Sequence, residues 1–292
     1  MNINYTFIIP HYNTPELLVR CIKSIPVRDD VQIIVIDDYS TDADTYLERY
    51  PILHRQGVEF YKSTSEKGAG SARNEGLRYA RGKWLLFADS DDFYAKDLNQ
   101  IMDIYCDSDA ELIYFKLESV YSDTLKQADR ADEYNKKLEQ AVESNELDPF
   151  IYTTHCPYSK LVSSTLIKKY NITFEAIQVS NDAYFSIKCA LLAKKIMIDS
   201  KHTMYIVTRR QGSLDYSINN ELDDIRLECA YRINDLLYKY GKGKFHRNLF
   251  GISGRFVWKW KYVKQYRNPI YFVHDLSYVI YGKLYRLFFY EL

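Results

Sequence analysis

Short apolar runs alternate with amphipathic stretches over the first ninety or so residues, and this alternation predicts strands separated by helices. Tyr5-Thr6-Phe7-Ile8-Ile9 reads as a strand ended by Pro10. Pro15 to Ile25 follows as a helix, with Thr14 as its N-cap and Pro15 at its first position. Val31 to Ile36 is apolar except for Gln32, reads as a buried strand, and runs straight into Asp37-Asp38. Asp42 to Tyr50 is a short helix and Val58-Glu59-Phe60-Tyr61 a third strand. Gly68 to Ala80 opens glycine-rich, becomes helical and is closed by Gly82, and Lys83 to Phe87 is a fourth strand. Strands spaced by helices favour a mainly parallel sheet flanked by helices, an α/β fold.

Further along, Asp97 to Tyr105 predicts a helix and Glu111 to Leu117 a strand. Residues 122–148 are polar and charged, an exposed excursion with helical character. Leu161 to Tyr170 and Ala183 to Lys195 read as helices, Met204 to Val207 as a strand, and Asp223 to Tyr240 as a helix. No internal repeat or low-complexity segment interrupts the order.

Composition adds three constraints. The 292 residues carry 39 basic and 39 acidic side chains, a balance that gives no reason to expect a nucleic-acid partner. The charge is unevenly placed, however: residues 241–292 hold 10 Lys/Arg and 2 Asp/Glu, which leaves a net of −8 on residues 1–240. The five cysteines are scattered and form no C-x-x-C pair, which fits a reducing compartment better than a zinc site or a disulfide framework. The chain begins almost at once with a strand-like run, so no signal peptide is expected, and no apolar run approaches the ~20 residues of a membrane span. A cytoplasmic location follows as the expectation.

In parallel sheets, ligands bind beyond the carboxyl ends of the strands. Pro10-His11-Tyr12-Asn13, Asp37-Asp38 and Asp89-Ser90-Asp91-Asp92 all fall there. Three carboxylates within four residues repel each other unless a cation intervenes, and Mg²⁺ or a similar hard ion takes carboxylate and phosphate oxygens together. Other segments keep two readings. Asp37 to Asp42 offers either a carboxylate for a base or ribose, or helix capping. Gly68-Ala69-Gly70-Ser71-Ala72-Arg73-Asn74 allows close approach either to a phosphate or to a neighbouring element. Asp182 is a helix N-cap or a base presented into a cleft. Arg209 and Arg210 hold diphosphate oxygens or are solvated. The six histidines share no metal-ligand spacing, and a structural role is the default for each.

Taken together, these segments resemble the bacterial family 2 glycosyltransferases, whose fold is the GT-A nucleotide-sugar fold. The matching stretches are Phe7 to Asn13, Val35 to Asp42, Gly70 to Gly76, Phe87 to Asp92, Tyr158-Ser159-Lys160-Leu161, Asn181 to Phe185 and Arg209 to Ser213. The resemblance implies a GT-A, Rossmann-like catalytic domain over residues 1–220 and a helical C-terminal extension over 221–292. It implies an inverting transfer of one hexose or N-acetylhexosamine from a nucleoside-diphosphate sugar, with UDP as the expected nucleotide. Pro10 and Tyr12 would border the base and Asp38 would hydrogen-bond it. Arg73 would lie near the donor, Asp89-Ser90-Asp91 would be the family's D-x-D, and Arg209 or Arg210 would assist the diphosphate. Asp91 would hold Mn²⁺ or Mg²⁺, with Asp89 and Asp92 in support, and Asp182 would be the catalytic base. The loop from Gly212 to Asn220 corresponds to a mobile segment over the donor. Tyr39 replaces the family's usual Gly and Asn181 its usual Glu. The Q-x-x-R-W signature and membrane helices of processive synthases are absent from this sequence, so the resemblance implies one sugar per encounter.

The expected acceptor is a saccharide, carried on a polyprenyl diphosphate, in surface polysaccharide synthesis (capsule, O-antigen or exopolysaccharide). Residues 241–292 hold 15 of the 45 aromatics beside their basic excess. Arg255 to Lys264 and Tyr278 to Tyr290 mix Trp, Tyr and Lys as interfacial helices do. This tail is expected to dock peripherally on the inner face of the cell membrane; the alternative is packing on the catalytic domain or on a sister subunit of a homodimer. A non-catalytic nucleotide-sugar binder would lack Asp182. A nucleotidylyltransferase would need a glycine- and basic-rich loop where Pro10-His11-Tyr12-Asn13 stands.

Overall fold

A computed structural model describes residues 2–210, 220–252, 273 and 276. The chain divides into two compact units, Met1–Asp215 and Tyr216–Leu292. The first holds an eight-stranded sheet: β1 (Tyr5–His11), β2 (Val31–Asp37), β3 (Val58–Lys62), β4 (Trp84–Phe87), β5 (Phe93–Tyr94), β6 (Leu112–Tyr121), β7 (Lys160–Ser163) and β8 (Ile196–Arg209). Their order across the sheet is β3-β2-β1-β4-β7-β6-β8-β5. The β3-β2-β1-β4 half is parallel. β7 is antiparallel to both of its neighbours, β6 and β8 run parallel, and β5 closes the edge antiparallel.

Helices α1 (Pro15–Ser24), α2 (Ala43–Arg49), α3 (Ala69–Tyr79), α4 (Leu98–Tyr105), α5 (Asp132–Ser144), α6 (Asp148–Ile151), α7 (Ser164–Tyr170) and α8 (Ala183–Leu192) complete this unit. Side-chain alternation explains how both faces of the sheet are covered. Phe7, Ile9, Ile33, Val35, Trp84 and Leu86 join Leu18, Cys21 and Ile22 of α1 and Leu98, Ile101 and Met102 of α4 in one core. Ile34 and Ile36 face the other way, onto Ala72 of α3. All seven residues of β1 and all seven of β2 are buried, as both-face burial of a parallel strand requires.

The first four strands and the helices between them lie within a few residues of their expected positions. Three stretches differ. Leu161 to Tyr170 begins as strand β7 and only then becomes α7. Leu161 and Val162 sit between β4 and β6, so tertiary pairing overrides local pattern in a short apolar run. β8 begins at Ile196, well ahead of Met204, with its register against β6 shifting at Lys116. β5 is two residues long and carries no periodic signal of its own. Within residues 122–148, α5 buries Leu138 and Ala141.

In the second unit, α9 (Asn220–Lys239) is followed by a short turn and α10 (Leu249–Ile252). Asn234 is 2% exposed and clamps residue 247, donating to the Arg247 carbonyl and accepting from its N–H at 3.0 and 2.6 Å. No helix among the described residues is long and apolar enough to cross a membrane. Gly212 to Asn219 of the expected donor loop, and the aromatic stretches Arg255 to Lys264 and Tyr278 to Tyr290, lie outside the described residues.

Candidate functional site

The carboxyl ends of β1, β2 and β4 open on one edge of the sheet, and the segments that follow them are cross-tied. The Asp38 N–H donates to the His11 carbonyl at 2.7 Å. His11 Nε2 accepts from the Thr14 N–H at 3.2 Å, which places the ring proton on Nδ1, facing Asp37 Oδ1 at 3.0 Å. His11 is therefore a buried brace between β1 and β2. Burial would raise the Asp37 carboxyl, but hydrogen bonds from His11 and from the Ser40 N–H outweigh it and hold that carboxyl low. Thr14 occupies the N-cap position of α1 without capping it; its hydroxyl lies 3.3 Å from Ser90 Oγ.

Asn13, Tyr39 and Ser180 adopt left-handed backbone, with φ of 50°, 64° and 59°. A residue without a Cβ fits such a position at least cost, which gives physical meaning to the glycine that the resemblance puts where Tyr39 stands. The Tyr39 hydroxyl is tied to the Ser65 carbonyl at 2.7 Å. Both Asp38 oxygens accept from the Gly68 N–H, at 2.9 and 3.0 Å, and Asp38 is buried. Tyr12 is half-exposed, and the Lys67 ammonium stands 3.9 Å from its ring centroid. Pro10 is the penultimate residue of β1 and is buried.

The acidic turn divides its carboxylates among different surroundings. Asp89 pairs with Arg73, and its N–H donates to the Tyr205 hydroxyl at 2.9 Å. Asp91 pairs with Arg210 Nε at 2.9 Å and keeps about a quarter of its side chain exposed. Burial, and then the Asp89 charge, push the Asp91 carboxyl upward against the pull of Arg210. Asp92 faces inward, accepting from the Thr208 N–H at 2.7 Å and the Tyr205 hydroxyl at 3.0 Å. Its carboxyl is pushed well above the ordinary range by burial and by Asp89 and Asp91. Arg209 pairs with Asp129 at 2.6 Å, and Arg210 meets the acidic turn.

The stretch Gly70 to Asn74 shows what its small residues are for. A Cβ on Gly70 would collide with the Glu175 carbonyl oxygen and touch Asn181 Cβ at 3.0 Å. Asn74 clamps residue 174 through both its backbone groups, at 3.0 and 2.8 Å. Arg73, 4% exposed, donates to Asn181 Oδ1 at 2.9 Å while its other terminal nitrogen meets Asp89. Phe174 stacks on Phe185 of α8 with centroids 3.9 Å apart, and both rings meet Phe87 of β4 edge-on. Helix α3 thus fastens the 174–181 loop, and Arg73 ties the residue before Asp182 to the acidic turn.

Asp182 holds the N-cap position of α8 but makes no side-chain hydrogen bond to that helix. Burial raises its carboxyl, Arg73 opposes that, and Asp89 reinforces it. A carboxylate left uncapped, desolvated and next to a cationic clamp has the surroundings of a working base. Asp89 and Asp91 remain partly exposed at the sheet edge. Their oxygen donors suit a hard cation that also takes phosphate oxygens.

Pattern reading missed Arg20, Thr208 and Tyr205. Arg20 Nη2 and Thr208 Oγ1 both donate to the Asp91 carbonyl, at 2.6 and 3.0 Å, and fix the turn through its backbone. A lone arginine in an amphipathic helix carries no local mark of such a role.

The model of glycosyl transferase family 2 matches residues 6–166, more than half of the chain. The poly(ribitol-phosphate) beta-glucosyltransferase of Bacillus spizizenii is 27% identical over 214 residues, covering 71% of this chain and 32% of that protein. The poly(ribitol-phosphate) beta-N-acetylglucosaminyltransferase TarS of Staphylococcus aureus is 27% identical over 217 residues, covering 72% and 36%. The chain thus spans about a third of the length of these relatives. Among solved structures, a piece of S. aureus TarS in complex with UDP-GlcNAc superposes with a TM-score of 0.68 at 20% identity, covering 87% of this chain and 73% of that one. The mannosyltransferase PcManGT of Pyrobaculum calidifontis, in complex with GDP-Man and Mn²⁺, superposes with a TM-score of 0.60 at 15% identity, covering 98% and 81%. These likenesses establish the GT-A-like fold.

Proposed function

Given that the chain belongs to glycosyl transferase family 2, we propose that it transfers a single hexose or N-acetylhexosamine from a UDP-sugar to a saccharide acceptor, with inversion. The observation that carries this reading is the Arg73 bridge: it joins the acidic turn to the residue that precedes the uncapped Asp182. The TarS complex with UDP-GlcNAc supports UDP as the nucleotide. The poly(ribitol-phosphate) transferases support an acceptor in a cell-surface polymer.

An acceptor hydroxyl is a poor nucleophile at neutral pH. Asp182, as carboxylate, takes its proton while the hydroxyl attacks the anomeric carbon. The sugar–phosphate bond breaks on the opposite side, so a single displacement inverts the centre and needs no protein nucleophile. Tyr12 and Asp38 border the base. Arg210, paired with Asp91, would meet developing diphosphate charge once released from it. Asp91, with Asp89 beside it, would hold Mn²⁺ or Mg²⁺, which supplies charge neutralisation for the leaving group. The basic, aromatic tail of residues 241–292 would bring the enzyme to an anionic membrane bearing a lipid-linked acceptor.

The reading is tested by incubating the protein with a panel of UDP- and GDP-sugars and Mn²⁺ and measuring nucleotide release. Release from a UDP-sugar is expected; release confined to GDP-sugars would overturn the nucleotide assignment, and inertness toward the whole panel would overturn the enzyme.

A further inference from the structure

Glu75 lies on α3, is 1% exposed, and has no part in the proposed chemistry. Its carboxylate collects donors from the segment just ahead of the helix. Oε2 accepts from Ser63 Oγ, the Thr64 N–H and Ser65 Oγ, and Oε1 from Thr64 Oγ1, each at 3.1 Å. A buried carboxylate is costly unless its hydrogen bonds are made. Here three consecutive residues turn their side chains to it. Burial would raise the carboxyl, but these bonds outweigh burial and hold it low.

The segment 63–68, Ser-Thr-Ser-Glu-Lys-Gly, has no apolar side chain to bury, so polar anchors are what order it. The Ser63 N–H donates to the Asp37 carbonyl at 2.8 Å, and the Ser65 N–H to Ser63 Oγ at 3.3 Å. Residues 63–65 are thereby pinned between the end of β2 and α3. The same segment meets the residues assigned to the nucleotide base. The Ser65 carbonyl accepts from the Tyr39 hydroxyl at 2.7 Å. The Lys67 ammonium stands 3.9 Å from the Tyr12 ring centroid. The Gly68 N–H donates to both oxygens of Asp38, at 2.9 and 3.0 Å. Tyr12, Asp38 and Tyr39 each lean on residues 65–68, and residues 63–65 hang on one carboxylate.

We propose that Glu75 is a positioning residue for recognition of the nucleotide base: it orders the 63–68 loop against Tyr12, Asp38 and Tyr39 before the donor arrives. The cost of ordering then falls on folding rather than on binding. The inference rests on the reading that Tyr12 and Asp38 border the base.

Calorimetry in the presence of Mn²⁺ tests it, with UDP and inorganic pyrophosphate as probes; pyrophosphate keeps the diphosphate and lacks base and ribose. The proteins are wild type, Glu75→Met, Glu75→Gln, Tyr39→Phe and the Glu75→Met/Tyr39→Phe pair, each checked for folding by its melting transition. Glu75→Met should bind UDP about tenfold more weakly and pyrophosphate as wild type does. Glu75→Gln keeps an acceptor for the Thr64 N–H and should stay within a few-fold of wild type. Because Glu75 and Tyr39 both act through Ser65, the pair should lose less than the two single losses combined. Unchanged UDP affinity in folded Glu75→Met overturns the proposal, as does equal weakening of UDP and pyrophosphate, or full additivity in the pair. Should Glu75→Met fail to fold, Ser65→Ala decides: a few-fold weaker UDP with unchanged pyrophosphate supports the proposal, and unchanged UDP overturns it. Wild type that binds UDP no tighter than pyrophosphate refutes the base site itself and the role of Glu75 with it. Wild type that does prefer UDP, beside an unaltered Glu75→Met, refutes the role of Glu75 alone.

Discussion

Asp91 and Asp92 are neighbours in the chain with opposite surroundings, one partly open beside Arg210 and the other sealed between Tyr205 and Thr208. The sign of the Asp92 effect follows from linkage. Its carboxyl is raised in the folded protein, so its contribution to stability is fully present below the ordinary carboxylate range and is lost as pH rises through the folded value. Asp92→Asn removes that titration. Urea unfolding at about pH 5 and about pH 8 should show the variant gaining stability relative to wild type toward the alkaline end. Tyr39 makes a second residue-scale prediction. At φ 64° a β-branched side chain is strongly disfavoured, so Tyr39→Val should cost about 1–3 kcal/mol. Tyr39→Gly should fall close to wild type, since relief of backbone strain is offset by loss of the hydrogen bond to Ser65. The acidic turn was legible in the sequence because three carboxylates directly after an apolar run stand out. The division of labour among them was not, because it depends on Tyr205 and Thr208, more than a hundred residues away.

Among the elements, α3 carries the most consequence for the site. Its sequence left open whether the small residues approach a phosphate or a neighbour, and the structure puts Gly70 against Glu175 and Asn181 and Gly76 against Ile8, where a Cβ would come within 2.6 Å of Cγ2. Gly70→Ala should therefore destabilise by roughly 1–3 kcal/mol through overpacking, measured by chemical denaturation. It should also impair transfer, because the displaced loop leads directly to Asp182. The parallel character of the first four strands was readable from their alternation with helices. β7 was not, because four residues of strand followed by seven of helix leave a pattern that reads as one helix. Its first residue, Lys160, was likewise hidden: a single lysine before Leu161 and Val162 gives no local sign of being buried opposite Tyr114.

On the scale of the whole molecule, the asymmetry of charge distinguishes residues 241–292, with their excess of eight positive charges, from the rest of the chain. Such a segment should bind anionic vesicles in a salt-sensitive way. Flotation with anionic liposomes is expected to carry the full-length protein upward, and a folded protein truncated near Gly241 should remain behind; equal flotation of the two would assign membrane contact elsewhere. In the proposed reaction the acidic turn faces the leaving group and Asp182 activates the acceptor. The most direct test of this assignment compares wild type with Asp182→Asn for both donor binding, by calorimetry, and sugar transfer. Donor affinity within a few-fold of wild type, with transfer reduced on the order of 10²–10⁴-fold, is the predicted result; near-wild-type transfer by a variant that binds donor normally would contradict the account.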